Sequence, residues 1–201
     1  MQRIPDPQRP ARRSTRAGQA DDVELLGRVV ARDLRGFEQL YREYRPRLRR
    51  FLEPMTARPG IVDEVINDTM LLVWHRADAY NHQSKVSTWI FAIAYRKTLK
   101  ALRREGAAAV GDDAEDEEAA ASEPGPEQHA VRRQTLSVLH DALGALSFEH
   151  RAVLTLTYFH GLGYREIAEI VECPVDTVKT RMFHARRRLR AMLAGDLGDW
   201  L

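Results

Sequence analysis

Residues 156–193 read LTYFHGLGYREIAEIVECPVDTVKTRMFHARRRLRAML, and the spacing predicts two helices joined by a tight turn. In Tyr164–Val171 the apolar Ile167, Ala168, Ile170 and Val171 fall on one side, with Arg165, Glu166 and Glu169 on the other. Cys173 and Pro174 interrupt the pattern, and a proline fits a helix start because its missing N–H has no helical partner there. From Thr177 a second period begins, with Val178, Met182, Ala185 and Leu189 as one buried stripe. Lys179, Thr180, Arg181, His184, Arg187 and Arg188 occupy the other faces. A short apolar helix, a turn and a cationic amphipathic helix make a helix-turn-helix pattern. Its second helix suits the major groove, with its first residues toward base edges and Arg187, Arg188 and Arg190 toward phosphates.

Bulk properties narrow the class. The chain has 201 residues and a formal net charge of +2, room for one larger or two small domains. Its single cysteine, Cys173, excludes an internal disulfide and fits a reducing compartment. That thiol reads either as a redox group or as a small buried residue at the turn. No run of about 18 apolar residues exists, so no membrane insertion is expected. The arginine-bearing N-terminus lacks the apolar core of a secretory signal. A cytoplasmic protein is expected.

Residues 1–20 are rich in Pro, Arg and Gln and are expected to be a disordered basic tail. A short helix should run from Asp21 to about Arg32. A longer one carries Phe37, Leu40, Tyr41, Tyr44, Leu48 and Phe51 at steps of three and four, and Pro54, Pro59 and Gly60 should end it. Ile61–Trp74 should form the next, with Val62, Val65, Ile66, Thr69, Leu72 and Val73 inward and Asp63, Glu64, Asn67 and Asp68 outward. Those acids read either as a complement to the helix dipole or as a docking surface for a basic partner. The polar YNHQSKVS, residues 80–87, reads as a turn. Thr88–Arg104 then resumes as a helix, its apolar line at Phe91, Tyr95, Leu99 and Leu102 and its basic face at Arg96, Lys97, Lys100, Arg103 and Arg104. Aromatic rings beside a cationic helix suit single-stranded nucleic acid, although Trp89 and Tyr95 also read as core. Residues 106–128 are Ala-, Gly- and Pro-rich and acidic, the pattern of a self-repelling disordered linker. A further helix is expected over His129–Leu146, and Ser147 should cap another running to Phe159.

The segment Leu156, Gly161, Glu166-Ile167-Ala168, Pro174, Thr177-Val178-Lys179, Arg181, Ala185-Arg186 and Leu189 resembles the DNA-binding region 4 of bacterial sigma factors, in particular the extracytoplasmic-function (group 4) type of the sigma-70 family. Residues 37–51, 62–74 and 87–94 are similar to regions 2.1, 2.2 and 2.3 of the same family. The resemblance implies an all-α chain of two small helical domains, residues 21–105 and 129–195, joined by the acidic linker, with a tail at 196–201. It implies core RNA polymerase (β′ clamp helices and β subunit) as partner, with Asp63, Glu64, Asn67 and Asp68 as contacts. It implies that His82, Gln83, Ser84, Lys85, Ser87, Thr88, Trp89, Tyr95, Arg96, Lys97 and Lys100 bind the promoter minus-10 element, the loop capturing a flipped-out base. Arg165, Pro174, Asp176, Thr177, Lys179, Thr180, Arg181, His184, Arg187 and Arg188 would bind the minus-35 duplex. An anti-sigma factor is a further implied partner, and the linker is implied to thread the polymerase channels.

This chain departs from the family pattern in places. Asn67-Asp68-Thr69-Met70 replaces a common Gln-Glu-x-Phe and keeps a polar, acidic face; Arg96 and Lys100 stand where Asn and Asp are common; His184 stands where Arg is usual, weakening one contact near neutral pH. No glycine loop for phosphate and no Cys or His cluster of metal spacing is present, so neither catalysis nor a cofactor is expected. The alternatives are a stand-alone helix-turn-helix regulator, which leaves Val62–Arg104 unexplained, and a sigma mimic that sequesters a partner.

Overall fold

The computed structural model describes residues 16–56, 58–108 and 141–197, and no strand occurs among them. The helices are α1 (Arg16–Val30), α2 (Leu34–Leu52), α3 (Pro59–Arg76), α4 (Val86–Ala108), α5 (Phe148–Tyr158), α6 (Tyr164–Val171) and α7 (Val175–Leu197), with 3-10 turns at Glu53–Met55 and Ala77–Ala79. Residues 141–144 are also helical. The expectations for residues 1–15, 109–140 and 198–201, which include most of the linker and most of the helix expected at 129–146, lie outside the described residues.

Several boundaries differ from the sequence reading. α1 begins at Arg16 and so takes in residues 16–20 of the expected tail. Pro59 and Gly60 do not end α2; Pro59 opens α3, where its fixed φ and absent N–H are tolerated. α4 starts at Val86, which draws Val86 and Ser87 out of the expected turn, and it ends at Ala108, inside the expected linker. Leu72 is 36% exposed and is not a core residue.

Local chemistry explains the joints. Arg32 turns the chain at φ 61, and the Asp33 carboxylate accepts from the Arg35 N–H to cap α2. Gly36 lets α2 approach α1, because a Cβ there would stand 2.7 Å from the Arg28 Cβ. Ser147 caps α5 by accepting from the His150 N–H. Gly161, at φ 63, makes the turn toward α6, and Glu172 closes α6 in the left-handed region at φ 53.

The first domain buries Leu40, Tyr44, Leu48 and Phe51 of α2 against Ile66 of α3 and Ile90 and Phe91 of α4. Phe51 and Phe91 meet edge to face, ring centres 5.4 Å apart. In the second domain Val153 and Leu156 of α5, Ile167 and Ile170 of α6, and Val178, Met182 and Ala185 of α7 share one core. The two domains also touch, through α4 against α6.

Tyr44 donates a 2.8 Å hydrogen bond to Asp22, whose carboxylate lies 4.0 Å from Arg47. Burial raises the pKa of Asp22, and the Tyr44 bond and Arg47 oppose that rise. Tyr44→Phe leaves this half-buried carboxylate short of a donor and should lower the unfolding free energy by about 1–3 kcal/mol. Urea denaturation of the full chain is the check, and an unchanged midpoint and slope would refute the bond's role.

Candidate polymerase and nucleic-acid interfaces

The outward face of α3 carries Asp63, Glu64, Asn67 and Asp68, and each has a partner within the chain. Asp63 pairs with Arg49 and lies 3.9 Å from Arg45, both on α2. Asn67 accepts a 2.9 Å bond from the Tyr41 hydroxyl. From the α4 side, Lys97 reaches Asp68 at 2.9 Å and Arg104 reaches Glu64 at 2.8 Å. The face is therefore a belt of alternating charge rather than a bare acidic strip. Ion pairs as exposed as these are each worth only about 0–1 kcal/mol and exchange readily for a partner's charges. Leu71, 55% exposed, continues the same helix, and Leu34 is exposed at the start of α2. Exposed leucines bordering charged residues suit a protein partner. The sequence reading missed Leu71, which falls outside the regular helical stripe.

The segment between α3 and α4 is more ordered than its polar composition suggests. Asn81 accepts from the Gln83 N–H at 3.1 Å in an Asx turn, and His82 is left-handed at φ 60. Tyr80 is buried; its hydroxyl donates to the Ser84 carbonyl, and its ring centre lies 4.6 Å from His82 and 5.6 Å from Trp89. Tyr80 thus braces the loop from below. It was not singled out from sequence, because a tyrosine next to a turn carries no periodic signal.

The residues expected at minus-10 DNA fall into two groups. His82, Gln83 and Lys100 are exposed, and Ser84, Lys85 and Trp89 are half-buried. Ser87 and Thr88 are buried in the first turn of α4, and Tyr95 is buried against Phe148, ring centres 5.3 Å apart. Those three side chains are packed inside and offer no surface to a strand in this conformation. Arg96 pairs with Glu172 and Lys97 with Asp68.

In the helix-turn-helix, Val178, Met182 and Ala185 pin α7 to α6. Lys179, Thr180, His184, Arg187 and Arg188 stand exposed, Thr177 and Arg181 are half-buried, and Arg165 and Pro174 are exposed at the start of α6 and in the turn. Asp176 accepts from Lys179 at 2.9 Å, which holds its carboxyl below the usual range. The Thr180 hydroxyl donates to the Asp176 carbonyl. Phe183 is 62% exposed on the same helix, a position that sequence reading passed over because a phenylalanine there reads as core. An apolar ring among cations fits a groove that also presents thymine methyl groups. Arg186 lies over the Tyr158 ring at 5.7 Å instead of facing outward. His150 sits 6.4 Å from His184, and its pKa is lowered by burial and then by that neighbour.

Among the described residues no three His, Cys, Asp or Glu side chains converge as a metal ion requires, and no helix is long and apolar enough to cross a membrane.

Residues 40–108 match the family model of sigma-70 region 2, and residues 136–189 match that of sigma-70 region 4. The chain is 30% identical over 182 residues to the ECF RNA polymerase sigma factor SigK of Mycobacterium sp., covering 86% of this chain and 91% of that one. It is also 30% identical over 182 residues to the RNA polymerase sigma factor CnrH of Cupriavidus metallidurans, covering 87% and 95% respectively. Its fold is similar to that of CnrH solved in complex with the cytosolic domain of CnrY, with TM-score 0.66 and 24% identity over 88% of this chain and 99% of that one. It is similar as well to RpoE in complex with the anti-sigma factor NepR from Bartonella quintana, with TM-score 0.65 and 24% identity over 80% of this chain and 98% of that one. With both regions present in order on one helical chain and relatives matched nearly end to end, this protein belongs to the ECF (extracytoplasmic-function) RNA polymerase sigma factors.

Proposed function

We propose that this chain works in the cytoplasm as the promoter-directing subunit of RNA polymerase, with its contacts divided between the two domains. The observation that carries the reading is the presence on one chain of a braced loop leading into a basic helix and a helix-turn-helix with an exposed cationic face. The α3 belt of Asp63, Glu64, Asn67 and Asp68 docks on core polymerase by exchanging its internal partners for the partner's. The loop from His82 to Lys85, with Trp89, Arg96, Lys97 and Lys100 behind it, takes up unpaired minus-10 bases by stacking and phosphate contact. Ser87, Thr88 and Tyr95 shape that surface from inside. Lys179, Thr180 and Arg181 face minus-35 base edges, with Arg165, Arg187 and Arg188 on phosphates. Pro174, Asp176 and Thr177 form the helix entry, and His184 adds a polar contact. Each surface is small, so linkage on one chain supplies effective concentration that neither has alone. The complex of RpoE with the anti-sigma factor NepR supports an anti-sigma factor as a further partner, held against these faces.

Multi-round transcription with purified core polymerase on sheared genomic DNA tests the reading. Discrete new 5′ ends that require this chain are expected. Stable polymerase binding without new ends would replace this reading with that of an inhibitor.

Two substitutions refine the assignment. Lys179→Ala should cost promoter use about 1–3 kcal/mol, roughly 5- to 150-fold, with polymerase affinity unchanged. An unchanged rate on a defined promoter would return Lys179 to the solvated face. Tyr80→Phe, by releasing the Ser84 carbonyl, should slow promoter opening roughly 2- to 12-fold, the equivalent of about 0.5–1.5 kcal/mol. Permanganate footprinting of the opened strand reports that step, and opening at the parent rate would show that the loop needs no brace.

A further inference from the structure

Three rings form a row inside the second domain, leading from α5 to the outer face of α7. His150, in the first turn of α5, has its ring centre 6.4 Å from that of His184. His184 in turn meets Phe183 edge to face, with centres 5.4 Å apart and planes at 77°. His150 is half-buried and His184 exposed, and Phe183, at 62%, is the most exposed large apolar side chain among the described residues. Phe183 lies one helical turn from both Lys179 and Arg187, so it shares the face assigned above to base edges and phosphates. Its neighbours on that face are polar, and the ring contact it has is with His184. A side chain held in place before binding gives up less rotational freedom when it docks. His150 is the start of that hold. Its Nδ1 is buried without a hydrogen-bond partner, so the position gains nothing from that nitrogen and gains its packing on His184.

We propose that His150 is a positioning residue for minus-35 recognition: its ring seats His184, His184 fixes Phe183 edge-on, and Phe183 is thereby set against the 5-methyl group of a thymine in the major groove. The inference deepens the assignment of α7 to the minus-35 duplex and rests on it. The thymine methyl is the apolar group that base edges present in that groove, and a phenyl ring between two cations is matched to it. Every member of the row belongs to α5 or α7, so the device works within the second domain alone.

The seat has a pH dependence of definite sign. Burial first, then His184, Arg181 and Arg188 of α7, hold the pKa of His150 below its ordinary 6.5, and Glu149 on its own helix opposes them. Tyr95 of α4 shares Arg181 and Glu149 as neighbours, together with Cys173 and Glu172 at the end of α6. Arg151 is turned to the carbonyls of Pro54, Gly144 and Leu146. A proton on His150 requires an acceptor at the buried Nδ1, which has none, so the protonated ring leaves its seat. Seating is complete above about pH 6.5 and is lost as pH falls through the lowered value.

The test is competition for the holoenzyme, formed from the full chain and core polymerase, between two duplexes of the promoter mapped by transcription. One carries thymine and the other deoxyuridine at a single minus-35 position, and each thymine of either strand is replaced in turn. Both duplexes share one tube, so effects of pH on polymerase itself cancel in the ratio. At pH 7.5 the parent should prefer thymine at one position by about fourfold, the worth of one buried methyl. Phe183→Ala and His150→Ala should each bring that ratio close to one. His150→Phe, which keeps a ring and cannot titrate, should retain it. As pH falls from 7.5 to 5.5 the parent ratio should decline toward one while that of His150→Phe holds. A merely structural role for His150 would weaken both duplexes alike and leave the ratio at the parent value in His150→Ala, which overturns the proposal. So does a parent ratio that is level with pH, or one that falls equally in His150→Phe. A holoenzyme that selects its promoter yet ignores every thymine methyl keeps the minus-35 assignment and overturns this inference alone; one that selects no promoter overturns both.

Discussion

The burial of α4 on two sides is the constraint on which the rest of the molecule depends. Ile90, Phe91 and Ala94 are fully buried, Phe91 between Phe51 of the first domain and the His160 ring of the second, and Tyr95, the residue after Ala94, is buried against Phe148 of the second. A helix covered over so much of its circumference has only a narrow strip left for polar residues. Arg96, Lys97, Lys100 and Arg104 fall on that strip, close to the edges of α3 and α6. The pairing of Arg96, Lys97 and Arg104 with Glu172, Asp68 and Glu64 follows from this crowding. The same packing sets the start of α4: with Val86, Ser87 and Thr88 all buried, the loop before it is drawn tight over Tyr80. The loop's shape is thus a consequence of how α4 seats, and its composition alone does not reveal it.

What was legible in the sequence was what periodicity encodes. The stripe Val178, Met182, Ala185 is buried as its spacing requires, and α6 spans Tyr164–Val171 as its apolar face indicates. Boundaries were harder where one residue type serves two purposes. Pro59 reads as a terminator, yet the same fixed φ that stops one helix starts the next. Ser87 reads as part of a turn because its hydroxyl and its polar neighbours favour one, but the first turn of a helix also accommodates it. Least legible were pairings between distant segments. Nothing along the chain shows that Asp63 meets Arg49, that Lys85 meets Glu166, or that an exposed-looking histidine at 160 lies between two phenylalanines. Those contacts depend on how helices cross, and one sequence carries no direct record of that.

The pattern of ion pairs bears on how a protein with this many cations avoids clinging to DNA at large. Non-specific affinity grows with the number of phosphates neutralised, and a formal charge of +2 says little about that number. What matters is how many cations are free. In the first domain Arg49, Lys85, Arg96, Lys97 and Arg104 each stand beside a carboxylate. In the recognition helix Lys179 is held by Asp176, whereas Arg187 and Arg188 are exposed. A cation already satisfied must give up an acid before it takes a phosphate, so its net gain on DNA is small. The gain becomes worthwhile when several exchanges happen together, with geometry imposed by a larger scaffold. Many weak internal pairs, none deeply buried, therefore give a surface that is quiet toward isolated DNA and responsive to a partner presenting polymerase and promoter at once.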